Sequence, residues 1–184
     1  RCKATLYDTG TRVPLAIRWG AKVKGGRTVK DFVSLTDLAP TFLEASGQSV
    51  PVVMTGRSLL PLLTSDQNGQ IDSKRDHVLT GMEQHVYLNP SRAIRTAEFL
   101  YIRNFDPATW PTGEVKDLPA VDFSKTPWPT MPGSFSFNVD PSPTKQWMMQ
   151  HSGPLNELAF GIRADEELYD LQKDPNQLRN VAGE

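Results

Sequence analysis

The chain has 184 residues, 38% hydrophobic and 22% charged, with a formal net charge of −1 at pH 7. These values fit one globular domain, or a large piece of one, with a core of its own. They exclude the global basic field that a nucleic-acid partner needs. No apolar run approaches the ~18 residues of a membrane-spanning helix, so no membrane partner is expected. The single Cys2 excludes an internal disulfide. His77, His85 and His151 stand in no H-x-x-H or H-x-H pattern, so no metal site is expected within this chain. The sequence opens on Arg1 and runs straight into a motif-rich segment, which predicts that an N-terminal part of the same protein is missing.

In chain order, residues 1–12 read as an irregular loop turned at Gly10. Residues 13–19 read as a buried strand with Pro14 near its start. A modest basic cluster comes next in Lys22, Lys24, Arg27 and Lys30. The clearest helix spans 37–46, with Asp37 as N-cap, Pro40 in the first turn, an apolar face of Ala39, Phe42 and Leu43, and Gly47 as terminator. A short apolar piece at 58–63 precedes a polar loop at 66–75. Short strands are expected at 77–82, 92–96 and 99–103, the last two joined by Ala97-Glu98 as a tight antiparallel hairpin.

Eight prolines between Pro107 and Pro143 exclude regular structure from 105–143. Trp110, Phe123, Trp128, Phe135 and Phe137 make that stretch an ordered, packed loop rather than a linker. A short helix at 144–150 capped by Thr144, a strand at 166–171 and a turn with a helical stub at 173–180 complete the reading.

Three segments carry a family signal. Lys3-Ala4-Thr5-Leu6-Tyr7-Asp8-Thr9-Gly10-Thr11-Arg12-Val13-Pro14-Leu15 resembles the sulfatase block K-x-T-x-Y-[ED]-x-G-x-R-x-P-L. Ser34, Asp37, Pro40, Thr41 and Gly47 resemble the S-x-x-D-[LI]-x-P-T helix, and 56–63 (GRSLLPLL) resembles the segment next to that helix in the family. Glu167-Leu168-Tyr169-Asp170-Leu171 with Asp174-Pro175 and Asn180 is similar to the C-terminal E-L-Y-D-L block. In order and spacing the whole is similar to the C-terminal part of a sulfatase. The pattern is nearest to bacterial heparan N-sulfatase-like and arylsulfatase-like proteins.

The resemblance implies an α/β fold of the alkaline-phosphatase-like kind, of which this chain is an α+β piece. Residues 1–65 would end the large domain, and 66–184 would form a subdomain with a small antiparallel sheet packed against a helix. It implies hydrolysis of a sulfate ester or sulfamate, on a small molecule or a glycan, in an exported or lysosome-like compartment. It also implies a formylglycine nucleophile and Ca²⁺, both held outside this chain. Cys2 does not open a C-x-[PA]-x-R motif, because Leu6 stands at the Arg position. This chain alone is therefore expected to be inactive.

The residue the resemblance assigns to catalysis here is Lys3, in contact with the sulfate. Glu83 and His85, just past a strand end, are candidate substrate contacts. Arg92 and Arg95 are expected on one strand face, in salt bridges, and 165–167 as a solvated acidic turn. The rival readings are a phosphodiesterase or phosphatase of the same superfamily, and a non-catalytic module binding anionic glycans. A lone piece would also expose an apolar face or sheet edge and self-associate.

Overall fold

The computed structural model describes residues 3–20, 22–85, 88–107, 142–151 and 153–184. Most of the expected loop at 105–143, with Trp110 and Trp128, lies outside the described residues. The chain divides into two compact units: Arg1–Val13 with Leu79–Glu184, and Pro14–Val78.

The first unit is built on a four-stranded sheet of order β1 (His77–Gln84), β2 (Leu88–Thr96), β3 (Phe99–Asn104) and β4 (Glu166–Asp170). β2 pairs antiparallel with β3, and β3 with β4. The β2–β3 hairpin turns at Ala97-Glu98 as expected, and Thr96 Oγ1 accepts from the backbone N–H of Phe99 at 3.0 Å. Strand alternation buries Ala93, Leu100, Ile102 and Tyr169 on one face, and Leu6 and Tyr7 cover them. Along that face the buried residues become polar: Asn89, Ser91, Asn104 and Glu167.

Among the described residues, two helices lie between β3 and β4: α4 (Pro143–Gln150) and α5 (Pro154–Phe160). The cap of α4 is Ser142, whose hydroxyl accepts from Lys145 N at 3.0 Å; Thr144 lies further in. The α5 helix was not expected from the sequence.

Beyond β4 the expected helical stub is instead a set of turns. Asn180 lies along the outer side of β4. Its Oδ1 accepts from Leu168 N at 2.8 Å and its Nδ2 donates to Glu166 O at 2.9 Å. Val181 N adds a bond to Leu168 O at 2.9 Å.

Residues 13–19, at the junction of the two units, do not form the expected buried strand. They carry no regular structure and are largely exposed, Val13 by 57% and Leu15 by 43%, and no strand forms beside them among the described residues. A strand needs a ladder partner, and without one the apolar alternation remains open to solvent.

In the second unit, the helix at 37–46 is present as a 3-10 turn (Leu35–Asp37) running into α2 (Leu38–Ala45). Its cap is Ser34 rather than Asp37. Ser34 and Asp37 form a reciprocal capping box in which Asp37 Oδ2 accepts from Ser34 N at 3.1 Å. The C-terminus is a Schellman closure: Gly47 at φ +78° donates to Glu44 O, and Gln48 N donates to Leu43 O. A further helix, α3, spans Leu60–Thr64, and Arg27 donates to Leu62 O and Leu63 O at its end.

Asp37 is the hub of this unit. It is 6% exposed and accepts from Arg57 N at 2.8 Å and Arg75 Nη1 at 2.8 Å in addition to Ser34 N. Burial pushes its carboxyl up, but the Arg57 and Ser34 N–H groups and the Arg75 guanidinium outweigh burial and hold it below the ordinary carboxylate range. Arg75 Nη2 ties the same point to Arg57 O and Ser58 O. Thr41 Oγ1 bonds Asp37 O at 2.5 Å and accepts from Leu59 N at 2.8 Å.

The Asp37 hub gives this unit an acid-sensitive stability. The folded unit binds Asp37's proton more weakly than the unfolded chain does. Its stabilisation is therefore complete above the unfolded carboxylate value of about 3.9 and is lost as pH falls below it. Urea denaturation between pH 7 and 3 should show this loss, and Asp37→Asn should be less stable at pH 7, by about 3–5 kcal/mol, with a flatter acid slope. A Cβ at Gly56 would stand 2.1 Å from Thr36 O. Gly56→Ala should destabilise by about 1–3 kcal/mol in the same assay, since backbone rather than a movable side chain is in the way.

Candidate functional site

The first motif block is held to the sheet by a buried carboxylate. Glu167 is 3% exposed, and both its oxygens are engaged. Tyr7 Oη donates to Oε2 at 2.7 Å, Tyr169 Oη donates to the same oxygen, and Asn104 Nδ2 donates to Oε1 at 2.8 Å. An ionised carboxylate only accepts, so three donors from three segments suit it well. Tyr7 meets Tyr169 edge-on, with centroids 5.9 Å apart, and the Arg163 guanidinium lies 5.7 Å from the centroid of the Tyr7 ring. Burial drives the Tyr7 phenol far above its usual ionisation range; Arg163 opposes this, and the adjacent Glu167 adds to it.

This corrects the reading of 165–167 as a solvated turn. Asp165 and Glu166 are exposed, but β4 begins at Glu166 and the strand period turns Glu167 inward beside Tyr169. Glu166 instead pairs with Arg103 at 2.6 Å.

Residues 8–11, expected as irregular loop, form one helical turn, α1 (Asp8–Thr11), whose first carbonyl, Tyr7 O, accepts from Gly10 N at 2.8 Å. The Asp8 carboxylate takes Arg95 Nε and Nη2, each at 3.1 Å, and Asp8 N donates to Gln177 Oε1 at 3.0 Å. Arg95 is thus a salt-bridge residue, as expected, and so is Arg92, which pairs with Glu83. They do not share a strand face. Three positions apart, they point to opposite sides, and Arg92 is exposed while Arg95 is half-buried over the motif block.

Lys3 is exposed, in the turn that opens the block. Ala4, beside it, takes φ +60°, a left-handed conformation that costs a residue with a Cβ about 1–2 kcal/mol. Strain of this kind persists only where surrounding contacts impose it, and Leu6 and Tyr7 supply them two and three residues on. Glu83, near the end of β1, is exposed and committed to Arg92. His85 is exposed just past β1. His77 pairs with Asp76, and His151 stacks on Trp147 at 4.2 Å between centroids. Of the basic cluster, Arg27 is spent on backbone carbonyls and Lys24 pairs with Asp66. Among the described residues no group of three or more His, Cys, Asp or Glu side chains gathers as for a metal ion. No helix among them is long and apolar enough to cross a membrane.

Of the residues that organise the block, Glu167 stands in the E-L-Y-D-L motif but was expected in solvent, while Asn104 and Arg163 carry no expectation from the sequence. Period-two alternation with Tyr169 would have placed Glu167 inside. Nothing in the sequence marks Arg163.

Against known families, residues 2–120 match the model described as N-sulphoglucosamine sulphohydrolase, C-terminal. The chain belongs to this family. The match spans the Lys3–Leu15 and Ser34–Gly47 blocks, and membership agrees with the expected α+β C-terminal piece of a sulfatase. An ulvan-active sulfatase of Formosa agariphila is 31% identical over 184 residues, covering 98% of this chain and 30% of the relative. An N-acetylglucosamine-6-O-sulfatase of Bacteroides thetaiotaomicron is 30% identical over 111 residues, 56% of this chain and 19% of the relative. A solved structure of a protein in complex with its substrate D-glucosamine-2-N,6-O-disulfate aligns over 80% of this chain and 19% of that one, at 18% identity and a TM-score of 0.45. The chain thus spans less than a third of the curated relatives named.

Tyr7→Phe removes one donor from the buried carboxylate and should destabilise the chain by about 1–3 kcal/mol in urea denaturation at pH 7. The folded phenol holds its proton more tightly than the unfolded one. Its contribution is therefore complete below about pH 10 and is lost as pH rises past that value. The wild type should show this alkaline slope, and Tyr7→Phe should show less of it.

Proposed function

We propose that the chain is the C-terminal part of a sulfatase that hydrolyses a sulfate ester or sulfamate on a glycan, with Lys3 in contact with the sulfate. The observation that carries this reading is the match of the motif block to the family, together with the way Tyr7 and Asp8 anchor that block to the sheet and leave Lys3 exposed at its head. The glycan is inferred from the relatives, one ulvan-active and one acting on N-acetylglucosamine 6-O-sulfate by name. Export is inferred from the resemblance.

In sulfuryl transfer a nucleophile attacks a sulfur whose oxygens already carry negative charge, while the bond from sulfur to the sugar oxygen or nitrogen breaks and its electron pair leaves with that atom. A fixed ammonium aimed at those oxygens lowers the barrier without covalent work. Lys3 suits that role only if its backbone is fixed, because a freely rotating lysine loses much of its effect to entropy. The anchoring of Leu6, Tyr7 and Asp8 and the turn at Ala4 meet that requirement. Glu83 and His85 are the proposed contacts to the sugar. For Glu83 this means presenting the carboxylate as half of its pair with Arg92, a group able to accept from and donate to hydroxyls together.

Formylglycine would supply the nucleophile on sulfur, and Ca²⁺ would hold the sulfate. No described residue of this chain is assigned to either, so the 184 residues alone are inactive in this reading.

The full-length protein, carrying formylglycine, should release sulfate from an aryl sulfate or from N-sulfated glucosamine. Lys3→Ala should lower kcat/KM about 10²–10³-fold, and Lys3→Arg should do less harm. Melting measured beside the kinetics separates loss of the ammonium from loss of the fold. Full activity in Lys3→Ala, or cleavage of phosphate esters in place of sulfates, sinks the reading; the second outcome favours the phosphatase rival.

A further inference from the structure

Arg163 has no place in the mechanism above, yet it is 9% exposed and lies in the loop between α5 and β4. Its Nη2 donates to Leu158 O at 2.7 Å and its Nη1 to Glu157 O at 3.4 Å, both carbonyls at the end of α5. Its carbon centre lies 5.7 Å from the Tyr7 ring centroid. Its Nε has no hydrogen-bond partner and is the buried side-chain polar atom left so among the described residues. A buried cation with an idle donor is a poor way to fill space, and an apolar side chain of similar volume would do that with less desolvation. What an apolar residue could not supply is positive charge over the ring whose hydroxyl donates to buried Glu167.

We propose that Arg163 is a positioning residue for Lys3: its charge holds the Tyr7 ring over Glu167, and so fixes the backbone that aims Lys3. The path is short. Tyr7 is four residues from Lys3 in the same block and is 3% exposed. Its carbonyl starts α1, so the turn after it moves with the ring. The strained φ at Ala4 leaves the segment before Tyr7 ready to relax if the ring shifts. The guanidinium thereby joins the α5 terminus to the motif block, a link absent from the strand pairing. The assignment deepens the sulfatase reading and rests on it for the role of Lys3, but not for the mechanical link.

The test uses the full-length protein with two independent readouts. The first is sulfate release by the wild type, Lys3→Ala, Arg163→Met, Arg163→Lys and the double variant Lys3→Ala/Arg163→Met. Per folded molecule, Arg163→Met should lower kcat about tenfold or more with little change in KM, and Arg163→Lys, which keeps the charge, should recover part of it. The double variant should be no slower than Lys3→Ala alone, because both changes remove the same aimed ammonium. A merely structural Arg163 would give independent, multiplying losses, and that result overturns the proposal.

The second readout is amide exchange of peptides spanning residues 3–8, referenced to those around Leu59. Arg163→Met should speed exchange there about tenfold or more, and Arg163→Lys should do so less. Unchanged exchange overturns the link itself. If Lys3→Ala keeps full activity, the functional reading fails, while amide exchange still decides whether Arg163 holds the segment.

Discussion

A carboxylate taken out of water must find donors for its oxygens, and much of the first unit is arranged around that demand at Glu167. Desolvating an ionised carboxyl costs several kcal/mol unless the site returns comparable interactions. Here the return comes from a phenol in the first motif block, a phenol two residues along the same strand and an amide on the neighbouring strand. These donors do not all come together around Glu167 before the fold has closed. The carboxylate therefore rewards only the arrangement in which β3, β4 and the 3–8 segment are all in place. It works as a specifier of register more than as a source of bulk stability. Hydrophobic contact among Leu6, Leu100 and Ile102 would tolerate some sliding, but a shift of one residue on β4 would expel Glu167 from its donors.

The second unit uses the same device with different partners. Asp37 and Asp31 are both buried and take mainly backbone N–H groups, Asp37 from Ser34 and Arg57, and Asp31 from Ile71 and Asp72. Each clips together segments far apart in sequence where little regular structure exists to do so. This explains why the S-x-x-D-x-x-P-T pattern is polar at positions that prove to be interior. Ser34 caps, Asp37 gathers, and Thr41 passes a hydrogen bond on to Leu59. A motif resembling that of an enzyme family is, in this segment, a set of joints.

What could be read from the sequence divides along the same line. Elements set by local chemistry were legible: the α2 helix ending at Gly47, the Ala97-Glu98 hairpin, and a strand at 166–171 where β4 lies. Features set by distant partners were not. Asp37 and Ser34 are both good caps in isolation, and only the donors from Arg57 and Arg75 decide which one faces inward. Residues 13–19 carry the apolar alternation of a buried strand, but burial belongs to a neighbour as much as to the strand, and none lies there among the described residues. Arg163 was invisible because an arginine after a helix usually faces water. At the candidate site, Lys3 was legible only through the pattern around it, since no local rule separates an aimed lysine from a solvated one.

The way β4 ends has a practical side. Its outer backbone groups are not left to solvent: Asn180 folds its amide against Leu168 and Glu166 and serves as a one-residue substitute for a fifth strand. The tail after Leu171 thus acts as a seal, although it contains no helix or strand. A shortened chain that kept all four strands but dropped these turns would offer a bare, hydrogen-bond-hungry edge to its neighbours. Where the domain can be trimmed, or fused to another protein, is therefore set by a side-chain amide rather than by the last element of secondary structure.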